Sequence, residues 1–535
     1  MRSRFRFVLG EKMANYVNLD ALIPREDFET TDAKDDGQSR AQTMTVRDLE
    51  SNAFFYLALR KPDFQRETSE WNAARVAGLI KTFIEGDLIP SIILWKHREH
   101  IFVIDGSHRL SALIAWVQDD YGDGDLSKKF HGDSIAREQL DYAAATRKRV
   151  HREVGSYEDY RNAAVTPDDY APEMSKNARA LGSRAVTLQW VTGDSVKAEN
   201  SFIRINQQAA KITPQELKLI EGRHKPDVIA ARAIIKRGLL HHQGATFAVA
   251  NQEKISEVSR VIHDRFFRPE LTYPIKSLGL PMGGSAYAGT SLKMVHDFIG
   301  LSSPAETADS DFDGDLTLDH LKVTRRLADL LCSNEPASLG LHPAIYFYSW
   351  TGKHQPILLL SVAELMMEHR RNKTLPKFIA VRSKLERFIL GNRSLLNQIV
   401  RKFGTKESGK KHIKDYYNAI IEEFAGGKSD SAVIEALTAN PQFTYLQPSE
   451  SPYAGVSPGK YNTNSKSAAL IQELIPSAPT CKICGGLVPE QSISVDHKVS
   501  RSMGGDSHIE NLQISHPFCN TGIKGQQESQ ARLDI

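Results

Sequence analysis

The chain has 535 residues, which is too long for one hydrophobic core and predicts about two to four domains. Hydrophobic residues make up 41% and charged residues 25%, as in soluble globular proteins, and the net charge of +3 is too small to predict nucleic-acid binding by itself. No run of about 18 apolar residues occurs, which excludes a membrane-spanning helix. Four cysteines without an export signal favour a cytoplasmic location over a disulfide framework.

The first part of the chain is predicted to form a leader followed by a mixed α/β domain. Residues 1–45 begin with the basic stretch MRSRFRFVLGEKM and end in a polar, acidic stretch, so we expect a flexible N-terminal leader. In residues 46–222, AARVAGLIKTFIEG has helical spacing of its apolar residues, while SIILW, HIFVID and AVTLQWVTG are β-rich runs.

The remainder is expected to be helical, then extended, then a small domain. Residues 223–440 hold mostly helical patterns, such as PDVIAARAIIKRGLL and KDYYNAIIEEFAGG. Residues 441–478 are rich in Pro, Ser, Gly and Asn, which is typical of a linker. Residues 479–535 form the last domain. The predicted fold class is therefore α+β and multidomain.

Three of the four cysteines lie in this last segment, in two pairs with the same short spacing. Cys481 and Cys484 form a C-x-x-C pair, and His516 and Cys519 form an H-x-x-C pair. Thiolates and an imidazole at this spacing can bind a tetrahedral Zn²⁺ from two sides. A domain of about 55 residues has too small a core to fold alone, and a bound metal would stabilise it. Ordinary buried thiols are the alternative, which the double pairing disfavours.

The residues between the two pairs, SISVDHKVSRSMGGDSHIENLQ, resemble the HNH endonuclease family, whose ββα-metal fold holds one divalent ion. The resemblance implies His497 as general base, Asp496 and Asn520 as ligands of Mg²⁺ or Mn²⁺, and Asn511 as the residue that orients the catalytic loop. It also implies that Lys524 contacts a DNA phosphate.

The chain departs from the family pattern at two positions. His516 stands where the commoner form has Cys. Asn520 stands where other members have His.

Three N-terminal stretches, KPDFQRETSEW, IDGSHRLSAL and FIRINQQAAKITPQEL, occur in that order and resemble the ParB/sulfiredoxin-like domains. They are closest to the branch with a DGQQR box found in restriction proteins, although the box here reads DGSHR. The resemblance implies binding of a nucleoside triphosphate or sensing of modified DNA, because a box that opens a helix offers N–H groups to phosphate. The implied ligand-binding residues are Asp105, Gly106, His108, Arg109, Gln65, Arg66 and Asn206. Fold maintenance is the alternative for each.

These motifs together predict a DNA endonuclease that is controlled by a nucleotide- or modification-sensing domain, in restriction or antiphage defence. DNA is the expected partner, a membrane is not, and a homodimer is expected if both strands are cut. Two alternatives stay open. One is a non-cleaving DNA-binding or regulatory protein with a structural zinc module, and the other is a nucleotide hydrolase with the HNH part as effector.

Overall fold

The computed structural model divides the chain into two compact units. One unit comprises Met1–Arg223 with His241–Ala245, and the other comprises His224–Leu240 with Thr246–Ile535. The structure is α+β and multidomain, as predicted. The residues that it describes are 16–26, 40–62, 65, 71–130, 135, 137–209, 218–219, 221–238, 247–286, 288, 290–303, 308–404, 407–448 and 463–524.

The first unit contains a six-stranded mixed sheet and a separate two-stranded ribbon. In the sheet the order is β2-β4-β7-β6-β8-β3, and β6 pairs antiparallel with β7 and parallel with β8. In the ribbon β1 pairs antiparallel with β5. The strands are β1 (Tyr16–Val17), β2 (Arg25–Glu26), β3 (Thr43–Met44), β4 (Leu59–Pro62), β5 (Trp71–Asn72), β6 (Ile92–His97), β7 (His100–Asp105) and β8 (Val186–Val191).

Helices of the first unit bury their apolar sides in its core. The stretch predicted as the first helix does form one, and its Val76, Ile80 and Phe83 are buried. It begins where Asn72 Oδ1 accepts from Arg75 N at 3.0 Å and ends at Gly86, whose φ of 82° is left-handed. The helices are α1 (Phe54–Ala58), α2 (Ala73–Glu85), α3 (Ser107–Gln118), α4 (Asp125–Phe130), α5 (Arg137–Glu153), α6 (Tyr157–Val165), α7 (Pro172–Ala180) and α8 (Ser195–Ala209).

The leader predicted for residues 1–45 extends too far, because parts of it belong to the core of the first unit. Val17 is fully buried where β1 pairs with β5. The buried Asp20 carboxylate accepts from Lys61 Nζ at 2.6 Å and from Arg25 Nη2 at 2.9 Å. Charges removed from water in this way need partners, so the segment is held in place by its ion pairs as well as by apolar contacts.

The second unit begins with a layered set of helices around one hydrophobic core, as the patterns predicted. Its helices are α9 (Pro226–Ile235), α10 (Val249–Phe267), α11 (Ser291–Ser302), α12 (Asp315–Leu331), α13 (Pro343–Tyr346), α14 (Pro356–Arg371), α15 (Leu375–Gly391), α16 (Arg393–Phe403), α17 (Glu407–Ala425), α18 (Asp430–Ala439) and α19 (Thr463–Leu474). None of the helices in the described ranges is both long and apolar enough to cross a membrane.

The linker predicted for residues 441–478 is also shorter than expected. Phe443 and Leu446 are buried in the helical core. On α19, Ile471 is buried and Ser467 Oγ accepts from Ile275 N at 3.0 Å. The polar composition of this stretch does not indicate a helix. Helix α19 nevertheless forms there and packs its one apolar face against the rest of the unit. The other domain boundaries stay predictions.

The C-terminal segment is a hairpin followed by a short helical turn. Strands β9 (Ser494–His497) and β10 (Leu512–Ser515) pair antiparallel, with Asp496 opposite Gln513. The last described residues, Cys519–Lys524, form a π-helical turn. Cys481 and Cys519 belong to the same hydrophobic core cluster as the helices, so this segment and the helical layers share one core.

Candidate active site and metal centre

Four side chains of the C-terminal segment form a compact group with the geometry of a metal centre. The ligand atoms of Cys481, Cys484, His516 and Cys519 all lie within 4.8 Å of one another. Nδ1 of His516 lies 3.4 Å from Cys484 Sγ and 3.8 Å from Cys519 Sγ. A tetrahedral zinc ion, with bonds of about 2.3 Å to sulfur and about 2.1 Å to nitrogen, would hold such atoms about 3.6 Å apart. The residues present therefore fit that ion.

The first cysteine pair is positioned by a tight backbone turn. Cys481 N donates to Gly486 O and Gly485 N donates to Cys481 O, both at 2.8 Å. Gly485 has a φ of 72°, a conformation that glycine adopts without the strain that a side chain would bring. Hydrogen bonds from the thiols of Cys484 and Cys519 lower the pKa of Cys481. The CKICGG sequence thus encodes both the ligands and the turn that presents them.

His516 is held in the tautomer that a metal ligand needs. Its ring is fully buried, and Nε2 lies 3.0 Å from the Leu487 carbonyl oxygen, which can only accept. Nε2 therefore carries the hydrogen, and the Nδ1 lone pair faces the sulfur atoms. Burial, followed by the positive charge of Arg382, lowers the pKa of His516, so the imidazole is neutral at pH 7.

Asp496 and His497 lie side by side at the end of β9. The Asp496 carboxylate is buried and accepts from Lys524 Nζ at 3.0 Å on both oxygens, and from Gln513 Nε2 at 3.1 Å. Lys524 also donates to the His497 carbonyl oxygen. His497 Nε2 is buried and, within the described part of the chain, has no hydrogen-bond partner. The pair thus presents a carboxylate and a ring nitrogen at one strand end.

Asn511 closes the loop that follows these two residues. Its Nδ2 donates to Val499 O at 3.0 Å and to Asp506 O at 2.7 Å, and its Oδ1 accepts from Val499 N at 2.9 Å. Its carbonyl oxygen also accepts from Lys498 N. One side chain and its backbone therefore tie both ends of residues 498–506 to the start of β10.

Asn520 lies on the π-helical turn beside the hairpin. Its Nδ2 donates to Ser494 Oγ at 3.0 Å, which leaves the amide oxygen as the acceptor of that side chain. A carboxylate oxygen from Asp496 and an amide oxygen from Asn520 are ligand types that Mg²⁺ and Mn²⁺ accept. A metal-binding role for Asp496 and Asn520 stays a prediction.

The N-terminal box lies at the junction of β7 and α3. Gly106, with a φ of 98°, joins them, and a Cβ there would lie 2.9 Å from Ile92 Cδ1. Arg109 Nη2 donates to Asp105 Oδ2 at 2.7 Å and to Ser91 O at 3.1 Å. The His108 ring stacks on Trp71 with centroids 5.8 Å apart. Asp105 and Arg109 are thus brought together at a helix N-terminus.

The structure describes only some of the other predicted ligand-binding residues of the first unit. Gln65 is buried, its backbone carbonyl accepts from Arg25 Nη1 at 2.6 Å, and its side-chain Oε1 has no partner among the described residues. Arg66 lies outside the described residues. Asn206 lies on α8, and its side chain is also outside the described part. A ligand role for all of these stays a prediction.

Comparison with protein families agrees with the two sequence resemblances. Residues 46–220 match the model of the GmrSD restriction endonuclease N-terminal domain. Residues 481–525 match the model of the HNH endonuclease. The chain carries an HNH endonuclease domain joined to a GmrSD-type N-terminal domain. It is a nuclease. No curated protein and no solved structure gives a significant match.

The match confirms several sequence predictions in their broader form. The protein is a restriction-type nuclease that binds metal, and DNA is the substrate that its domains imply. The roles of single residues in the HNH domain stay predictions.

Sequence reasoning missed two charged residues that border the HNH domain. Arg382 and Glu386 lie on α15 and are fully buried, with Arg382 Nε donating to Glu386 Oε1 at 2.7 Å. Arg382 Nη1 lies 3.3 Å from His516 Nδ1. The sequence does indicate a buried ion pair here, because an Arg and a Glu four residues apart interrupt the apolar face formed by Phe378, Leu385 and Ile389.

Proposed function

We propose that this protein is a metal-dependent DNA endonuclease whose HNH domain hydrolyses phosphodiester bonds under the control of the GmrSD-type domain. The observation that carries the proposal is the buried Asp496 carboxylate next in sequence to His497 at the end of β9, where His497 Nε2 has no partner within the described chain. A buried ring nitrogen without a partner is costly, and a catalytic role is one explanation for such a group.

The roles of the side chains follow from phosphodiester hydrolysis. His497 would take the proton of the attacking water at Nε2, because that nitrogen is otherwise unused. Asp496 and Asn520 would hold a Mg²⁺ or Mn²⁺ ion through their oxygens. Such an ion, when bound, stabilises the charge that develops on the phosphate and the departing oxygen. Asn511 would fix the loop after His497.

Lys524 would contact both the Asp496 carboxylate and a DNA phosphate. Its ammonium neutralises the buried Asp496 carboxylate in the structure. The proposed divalent ion would share this carboxylate with Lys524, and Lys524 would then contact a DNA phosphate beside it. Cation binding and phosphate binding are therefore coupled through one lysine.

The Cys481, Cys484, His516 and Cys519 group would hold a structural Zn²⁺. Three sulfurs and one nitrogen leave no open position for a substrate, which distinguishes this centre from a catalytic zinc site. Support comes from the distances around His516 Nδ1 and from the Leu487 carbonyl that fixes its tautomer.

The first unit would act as the sensor. Asp105 and Arg109 meet at the N-terminus of α3, where backbone N–H groups and a forked cation suit a phosphate. A sensor joined to a nuclease suits defence against foreign or phage DNA, because a nuclease without restraint would endanger its host. Binding of a nucleoside triphosphate or of modified DNA would set the activity of the HNH domain.

The proposal is tested by plasmid cleavage with purified protein. Wild type is compared with His497→Ala in Mg²⁺ or Mn²⁺, with and without nucleoside triphosphates, on modified and unmodified DNA. We expect cleavage by wild type and a loss of about 100-fold or more in His497→Ala, because general-base catalysis contributes about that much. His508→Ala is the matched control, since His508 is exposed on the neighbouring loop.

Each alternative function has its own outcome in this experiment. DNA binding without cleavage under every metal and nucleotide would favour a non-cleaving regulatory protein. Phosphate release that persists in His497→Ala but disappears in Arg109→Ala would favour a nucleotide hydrolase with the HNH domain as effector. Equal cleavage by wild type and His497→Ala would contradict the role of His497.

A further inference from the structure

The cysteine-histidine centre is not enclosed by the HNH domain alone. Arg382 and Glu386 lie on α15, far before Cys481 in sequence, and they reach His516 and the backbone of Leu487. Both side chains are fully buried, where an unpaired charge would be very costly. Their place beside a candidate metal centre therefore needs a physical reason.

Arg382 is fixed against both halves of the centre. Its Nη2 donates to Gly340 O at 2.7 Å and its Nη1 donates to Leu339 O, so the guanidinium cannot turn away. Nη1 also lies 3.3 Å from His516 Nδ1. On the other side, a Cβ at Gly486 would lie 2.6 Å from Arg382 Nε. The second glycine of CKICGG is therefore needed for the close approach of this arginine.

Glu386 contacts the backbone that lies between the two ligand pairs. Its Oε2 accepts from Leu487 N at 2.7 Å, and its Oε1 accepts from Tyr346 Oη at 3.0 Å. Leu487 in turn accepts from His516 Nε2. One carboxylate thus holds the residue that sets the tautomer of a ligand, which is the pattern of supporting hydrogen bonds found around protein metal sites.

Charge gives the second reason. Three thiolates and one imidazole around Zn²⁺ leave one net negative charge, which would lie in the buried core. The Arg382 guanidinium lies beside this charge, since its Nη1 is 3.3 Å from Nδ1 of the proposed ligand His516. Glu386 compensates the same arginine in the absence of the metal complex, so Arg382 is not buried without a counter-charge in either condition.

We propose that Arg382 and Glu386 are positioning residues of the zinc centre, with the Arg382 guanidinium stabilising the thiolate-rich ion complex and Glu386 holding Leu487 against His516. Helix α15 thereby becomes part of the nuclease domain's metal centre. The inference rests on the proposed zinc site.

The test measures zinc affinity in the full-length protein by competition with a chromophoric chelator. Arg382→Met alone would leave Glu386 buried without its counter-charge, so the main variant is Arg382→Met/Glu386→Gln, which removes both charges. We expect a loss of about 10- to 100-fold in zinc affinity, as for other groups that support metal ligands. Arg382→Lys keeps the charge without the fork and is expected to lie between wild type and the double variant.

The control is Arg393→Met, since Arg393 also donates to a backbone carbonyl of the helical layers, that of Ala344 at 3.3 Å. We expect its zinc affinity to equal that of wild type. The visible spectrum of Co²⁺-substituted protein reports tetrahedral ligation independently of cleavage. A double variant that binds zinc as tightly as wild type would overturn the inference. Wild type that binds no zinc would instead overturn the proposed zinc site.

Discussion

At the scale of single residues, Asp496 and Lys524 decide how the nuclease centre is charged. Both side chains are largely buried, and the ammonium contacts both carboxylate oxygens. The chain therefore keeps its proposed metal-binding carboxylate neutralised by a cation of its own. This contact could not be predicted from the sequence, since the family resemblance assigns Lys524 to a phosphate.

Lys524→Met is expected to strengthen Mn²⁺ binding to the free protein by a few-fold to roughly tenfold, because a competing cation is removed from Asp496. Cleavage should fall, because the phosphate contact is lost as well. Mn²⁺ binding without DNA can be followed by electron paramagnetic resonance. Lys498→Met is the control, as Lys498 Nζ donates to the Glu510 backbone carbonyl and, among the described residues, contacts no carboxylate. Unchanged or weaker Mn²⁺ binding in Lys524→Met would contradict this expectation.

His342 makes stability of the second unit depend on pH. Its side chain is buried, and burial lowers its pKa to about 4. The pKa in the unfolded chain is about 6.5, so between these values the unfolded state binds more protons and the free energy of unfolding falls as pH drops. The contribution lost at pH 5 is about 2 kcal/mol.

Urea denaturation at pH 7 and pH 5 checks this expectation. His342→Gln should lose less stability than wild type between the two pH values, while the exposed His508→Gln should behave as wild type does. An identical pH dependence in His342→Gln and wild type would show that His342 does not titrate in this range.

At the scale of elements, the hairpin of β9 and β10 depends on one asparagine. The loop between the strands contains two short 3-10 turns, Arg501–Met503 and Ile509–Asn511, and the Asn511 side chain bonds both ends of the loop. The strand register puts Asp496 opposite Gln513, which then donates to its carboxylate. The proposed catalytic residues thus lie at a strand end, and the Asn511 side chain bonds the loop that follows them.

Asn511→Ala is expected to reduce cleavage by about 10- to 100-fold, because a shift of roughly 1 Å in catalytic groups costs about that much. Zinc content should stay at the wild-type value, since Asn511 touches none of the four ligands. Ser507→Ala is the control, because Ser507 lies in the same exposed loop and its hydroxyl accepts from Arg501 Nη2. Loss of zinc in Asn511→Ala would indicate a wider structural role.

At the scale of the whole molecule, the HNH domain and the helical layers form one unit. Phe518 N donates to Ser338 O at 2.9 Å, and Ser338 Oγ lies 3.0 Å from Ser492 Oγ, so both ends of the HNH segment are bonded to the loop after α12. The small domain therefore uses the helical layers to complete its core. The first unit is separate and holds its own sheet and box.

A fragment of residues 224–535 is expected to fold and to bind zinc, whereas residues 479–535 alone are expected to remain unfolded or to bind zinc more weakly. The short fragment loses the buried partners of Cys481 and Cys519. Zinc per chain and thermal unfolding of both fragments provide the measurement. A short fragment that folds and binds zinc as the longer one does would contradict a shared core.

The sequence by itself determined the pairs Cys481/Cys484 and His516/Cys519, the strand that ends in Asp496 and His497, and the DGSHR turn, because each depends on residues only a few positions apart. Spacing within a turn or a strand is local, so it can be interpreted without knowing what packs on it. Tertiary structure alone decided the contact of Arg382 with His516 across 134 positions, the pairing of Lys524 with Asp496, and the inclusion of residues 16–26 in the core. These contacts depend on which faces of helices and strands pack together. The free energy of burying a charge depends on whether that packing gives the charge a partner.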